Sequence, residues 1–196
     1  MVSGSTTLGD EERRIVDEVF LPLGTAEFDA TIERIERCNA DGVLMLLVGE
    51  DAAHFNRAFA RAGLDARCRR LSTLMEENIL LASGFEATQG MFAAAAYFET
   101  LATPESLGFG WRYTQRFGPE SPTLNSLGES CFEGILLLRA LAEAAGGLDV
   151  EAMCRVADSV SYPGPRGELR MRDRHVDQRV YLAEVDGLRF DVIAQL

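Results

Sequence analysis

Val43-Leu-Met-Leu-Leu-Val48 is followed at once by Gly49-Glu50 and then by Asp51–Ala62, in which Phe55, Phe59 and Ala62 fall on one stripe and Arg57 and Arg61 on another. Six apolar residues without alternation predict a strand buried on both faces, as in a parallel sheet covered by helices. The period of three to four that follows predicts an amphipathic helix, closed by Gly63 just past its end. A strand passing into a helix through a glycine turn is the unit from which doubly wound parallel sheets are built.

The same alternation extends both ways from this stretch. Upstream, Arg14–Leu21 reads as a strand stopped by Pro22, and Glu27–Cys38 as a helix carrying Phe28, Ile32, Ile35 and Cys38 on one side. Downstream come a short strand at Cys68–Ser72, a helical stretch at Glu76–Ser83 and a strand at Met91–Phe98. Near residue 100 the pattern changes to consecutive helices. Thr103-Pro104-Glu105 opens one to about Phe117, the capping box Ser126-x-x-Glu129 opens a long one to about Ala145, and a third covers Val150 to Asp158. Tyr162-Pro-Gly-Pro165 is a rigid turn, after which strand-like runs near Glu168–Met171, Arg179–Glu184 and Arg189–Ile193 close the chain. The expected fold is therefore α/β, a parallel doubly wound sheet followed by helices and short C-terminal strands, with its seam dividing 11–100 from 101–196.

Composition removes several function classes. The 196 residues carry 31 acidic against 19 basic side chains, a formal charge of −12, which opposes nucleic-acid binding. Every basic side chain other than the 2 histidines is arginine, so Schiff-base and P-loop lysine chemistry are excluded. Cys38, Cys68, Cys131 and Cys154 are scattered and lack neighbouring histidines, which fits free thiols better than a zinc site. No apolar run approaches the ~20 residues that span a bilayer. Residues 1–10 do not read as a signal peptide, so the expected location is cytoplasmic as given, or periplasmic or extracellular for a fragment of an exported protein. His54 and His175 fit no nucleophile or metal motif, and Gly108-Phe-Gly110 lies inside a helix rather than after a strand. No catalytic residue and no cofactor is expected.

Position singles out a binding edge. Ligands of open parallel sheets sit beyond the carboxyl ends of the strands, onto which the loops Val48–Asp51 and Ser72–Glu77 should open. Helix starts there offer free N–H groups for a carbonyl or carboxylate, and Glu50, Glu76 or Glu77 could accept from an ammonium or amide NH2. The competing explanation for both acidic pairs, Glu50-Asp51 and Glu76-Glu77, is first-turn acids placed to suit the helix dipole.

Over residues 18–193 the order of segments resembles the amide-, urea- and branched-chain-amino-acid-binding branch of the type I solute-binding proteins. The likeness runs through LPLGTAEFDATIERIERCNADGVLMLLVGEDAAHFNRAFARAGL, RLSTLMEENI, AAAAYFETLATPESLGFGWRYTQRFG and SYPGPRGELRMRDRHVDQRVYLAEVDGLRFDVI. The resemblance implies two lobes that close on a small solute, of which 11–100 is similar to the second lobe, with the first lobe missing. It implies a noncatalytic binder of a small amide, urea or aliphatic amino acid, serving an ABC permease or an amide-sensing regulator. A degenerate dimerisation module without ligand is the other expectation, and a homodimer would cover helix faces left bare near 104–118 and 126–145. Carried over position by position, the ligand edge comprises Val48, Gly49, Glu50, Thr73, Leu74, Met75 and Glu76, with Tyr97 at the end of its strand.

Overall fold

The computed structural model describes residues 14–196. Three strands run parallel in the order β1 (Gly42–Met45), β2 (Arg69–Ser72), β3 (Met91–Ala95), and the sheet is completed antiparallel by β7 (Tyr181–Asp186) and β8 (Arg189–Gln195). The last two strands thus cross the seam at residue 100 and join the first three. Helix α1 (Asp29–Cys38) precedes β1, and α2 (Glu50–Arg61) and α3 (Glu77–Ser83) make the crossovers from β1 to β2 and from β2 to β3. Their inward residues, among them Phe28, Ile32, Phe55, Phe59 and Leu80, pack with Met45, Met91, Ala93, Phe98 and Phe190 in one large core.

The chain then leaves the sheet through α4 (Pro104–Phe117), α5 (Ser126–Ala145) and α6 (Val150–Val156). Thr103 caps α4, its side chain accepting from the Ser106 N–H, with Pro104 at the first position, as the sequence predicts. A small antiparallel sheet of β4 (Ser161–Gly164), β5 (Gly167–Arg172) and β6 (His175–Asp177) lies against α5, and a second core of Val160, Tyr162, Leu169 and Met171 forms there with Leu136, Leu137 and Leu141.

Several predicted elements are corrected. Arg14–Leu21 is not a strand: it has no ladder partner, and its Asp17 is held by Arg34 of α1 at 2.6 and 2.9 Å. The predicted strands at 43–48 and 91–98 are each cut short, at Met45 and Ala95. β1 is an edge strand rather than one buried on both faces. Met45 is buried, but Leu44 and Leu46 are 61% and 63% exposed, because among the described residues no helix covers that side. An apolar run records that both faces are apolar, not that both are covered. Tyr162-Pro-Gly contributes a strand, β4, in which Pro163 is tolerated because β4 lies at the sheet's edge. The α5 cap is Asn125, whose side chain accepts from the Gly128 N–H at 2.7 Å; Glu129 turns inward instead of closing a capping box.

Apolar side chains stand bare along α4 and α5, among them Leu107, Trp111, Leu127 and Ile135. No described helix is long and apolar enough to cross a membrane.

Candidate functional site

The parallel register pairs Met45 with Ser72, so the chains leaving β1 and β2 emerge side by side at the carboxyl edge. After β1 the backbone reaches Gly49 with φ 59°, ψ −136°, a left-handed conformation that favours glycine, and α2 starts at Glu50. After β2 the Ser72 side chain accepts from the Leu74 N–H at 3.1 Å and sets the turn. Val48, Gly49, Glu50, Thr73 and Leu74 are all exposed on this edge.

The other three predicted residues do not lie open there. Met75 is 2% exposed and belongs to the core. Tyr97 is 1% exposed, lies beyond the end of β3, and packs edge-on to Phe109; burial pushes its hydroxyl up to about 12. Glu76 is half-buried, its Oε1 accepting from the Leu127 N–H at 2.8 Å, so it serves the free N-terminus of α5. Burial raises the pKa of its carboxyl, and that hydrogen bond opposes the rise.

Two further acids also accept from backbone N–H groups of the protein itself. Asp51 is buried and accepts from the Gly24 N–H at 2.9 Å. Glu77, also buried, accepts from the Glu99 N–H at 2.8 Å, and burial pushes its carboxyl up to about 7. Of the four acids at the two turns, Glu50 alone remains exposed to meet a solute.

Two open grooves lie elsewhere. One, about 540 Å³, runs between α4 and α5 with Phe109, Tyr113, Phe117 and Phe132 among its walls; the other, about 430 Å³, lies among Glu77, Glu99, Asp186 and Arg189. Neither includes residues 48–50 or 73–76. Among the described residues no cluster of histidine, cysteine and carboxylate side chains is placed to hold a metal.

The comparisons with known proteins agree with this fold. A family model described as periplasmic binding protein matches residues 6–189. The chain belongs to that family. In Brucella melitensis the Leu/Ile/Val-binding protein homolog 6 is 27% identical over 184 residues, which are 90% of this chain and 46% of that protein. A Rhodopseudomonas palustris solute binding protein solved with benzoate superposes with TM-score 0.79 at 21% identity, covering 93% of this chain and 50% of that one. The leucine binding protein of Thermotoga maritima gives TM-score 0.75 at 18% identity, over 91% and 51%. The chain therefore spans about half the length of the relatives it matches, and its fold is that of this family of solute-binding proteins.

Two buried clusters escaped the sequence reading. Arg70 is buried on β2, donating to Asn56 at 2.7 Å, to the Ala87 carbonyl at 2.8 Å and to Asp65 at 2.6 Å, with its guanidinium over the Phe59 ring. Glu129 and Glu133 of α5 meet Arg166 from the β4–β5 turn. The signal available for the second was two glutamates four apart in the first half of α5, with no basic residue near them on that helix turn.

Proposed function

We propose that this chain is the solute-binding component of an ABC-type uptake system, or an amide sensor built on the same fold. The loops at Val48–Glu50 and Thr73–Leu74 form one wall of a noncatalytic site for a small amide, urea or aliphatic amino acid. The observation that carries this is the carboxyl edge of β1 and β2, where two adjacent loops leave backbone and side chains exposed while the residues behind them are locked into the core. The first turn of α2 offers N–H groups to a carboxylate or carbonyl, and Glu50 accepts from an ammonium or amide NH2. Val48 and Leu74, both partly exposed, suit an aliphatic side chain. Sites of this kind bury most of their ligand, so a solute held by this one wall binds weakly and is tested at concentrations well above its dissociation constant.

A thermal-shift panel of acetamide, propionamide, urea, leucine, valine and benzoate tests this reading. A ligand at one hundred times its dissociation constant stabilises by about 2.7 kcal/mol. One member of the panel should shift the melt selectively, and Glu50→Gln should weaken an amino acid more than an uncharged amide. A cooperative melt with no shift from any member contradicts the reading.

The bare face of α4 and α5 favours a second reading, an interaction module whose partner is another copy. It predicts a concentration-dependent dimer in sedimentation together with silence across the panel.

A further inference from the structure

Two carboxylates and one guanidinium are sealed together where α5 meets the small sheet. Glu129 is 0% exposed, Glu133 2% and Arg166 5%. Arg166 grips Glu133 with both ends of its fork, Nε to Oε2 at 3.0 Å and Nη2 to Oε1 at 2.9 Å. Its remaining N–H groups go to Ser130 Oγ and Gln178 Oε1, each at 3.2 Å. Tyr162 of β4 adds a bond to Glu133 at 3.4 Å. Glu129 Oε2 lies 2.9 Å from Arg166 Nη2, yet no donor among the described residues is aimed at either Glu129 oxygen. The two N–H groups of Nη2, the nitrogen nearest Glu129, already go to Ser130 and Glu133.

A buried carboxylate without a donor is costly, and two carboxylates facing one cation leave a net negative charge out of water. Glu129 is fully buried and lines neither of the two grooves described above, so its missing donor does not come from a solute there. A proton can. One helical turn separates Glu129 from Glu133, within reach of a carboxyl O–H. The other ionisable groups facing Glu129 from neighbouring elements are Arg166 and the tyrosines Tyr97 and Tyr162, neither of which carries charge near neutrality.

We propose that Glu129 and Glu133 share one proton, the Glu129 carboxyl donating to the carboxylate that Arg166 clamps, and that its loss to solvent loosens β4–β6 from α5, making this joint a pH-sensitive latch. With the proton, the cluster is neutral and Glu129 is satisfied. Without it, an extra charge is buried, and hydrating that charge requires the β4–β5 turn to lift from α5. Burial, with Arg166 opposing and Glu133 beside it, raises the pair's last proton well above the ordinary carboxylate range, which brings its loss toward neutral and mildly alkaline pH. The ligand edge is tied to the same turn of α5 through Glu76 and the Leu127 N–H. The latch itself does not depend on which solute binds there.

Hydrogen exchange of the whole chain between pH 6 and 9, corrected for intrinsic rates, reads the latch in peptides covering 161–177. Their protection should fall about tenfold relative to β2 and β3 in the wild type, and stay flat in Glu129→Gln, whose neutral amide supplies a permanent donor to Glu133. A wild type without this differential loss, or a Glu129→Gln variant that follows the wild type, overturns the proposal. Carboxyl ¹³C NMR in a Glu77→Gln background needs no substitution in the cluster itself. One glutamate should titrate above pH 7, and if none does the shared proton is refuted.

Discussion

Arg69 and Arg70 are neighbours of one type in the sequence, and the strand sends them to opposite faces. The inward face of β2 carries Arg70 and Ser72, while Leu71 is only half-buried. Alternating hydrophobicity would place Leu71 inside, so neither the burial of Arg70 nor its partners could be read from pattern alone. Burial lowers the proton affinity of Arg70, with Asp65 opposing, but its charge persists because its donors are matched by Asn56, Ala87 and Asp65. Arg70→Met should cost about 3–5 kcal/mol in urea unfolding, since it strands those acceptors. At Gly164 an added Cβ would meet Glu133 Oε2 and Leu169 Cδ1, both at 2.9 Å. Gly164→Ala should therefore destabilise by about 1–3 kcal/mol and be relieved in part by Leu169→Val. Glu77 gives a pH signature. Its folded value of about 7 lies above the ordinary carboxylate value, so the native state holds this proton more tightly than the unfolded chain. Its favourable contribution is complete below pH 4.5 and is lost as pH rises to about 7. Glu77→Gln keeps an acceptor for the Glu99 N–H without the charge, so it should gain up to about 3 kcal/mol on the wild type between pH 4.5 and pH 8; parallel pH–stability curves would contradict this.

At the scale of elements, α1, α2, α3, α4 and α5 are legible because each has its own local signal: an apolar stripe, a proline at the first turn, or a glycine past the end. Strand limits are less so. Ladder partners decide where a strand stops, and they lie far off in sequence. β4 and β6 were hidden for that reason, as was the missing partner of 14–21. The candidate site was legible as a place, since loops after parallel strands share one edge, but not as a list of side chains. Three of the four acids there are consumed by the protein's own N–H groups on 24, 99 and 127, contacts that only the folded chain makes. Glu76 is the clearest case, a residue read as a ligand contact that instead serves the start of α5. Glu76→Ala should lower stability by about 0.5–1.5 kcal/mol, and amide exchange should show the loss concentrated in the first turn of α5. Exchange unchanged at 126–129 would mean the contact is idle.

In the whole molecule, a five-stranded sheet with its own core is joined through α4 and α5 to a smaller core under β4–β6. Polar contacts tie the joint from both sides: Glu76 holds α5 from the sheet's carboxyl edge, and Arg166 holds it from the small sheet. That the last strands return to pair with β3 binds the beginning and end of the described chain into one sheet. The broad α/β class was visible in strand–helix alternation, whereas this return was not, because nothing in residues 181–195 states which strand they will meet. The carboxyl edge of β1 and β2 is the proposed place of contact with a solute. The most direct measurement is an amide NMR titration of the chain with leucine, valine, benzoate, acetamide and urea in turn. Shifts concentrated at Val48, Gly49, Glu50, Thr73 and Leu74 are expected from one of them. Shifts confined to the α4–α5 groove, or none from any solute, would show that this edge is not a binding wall.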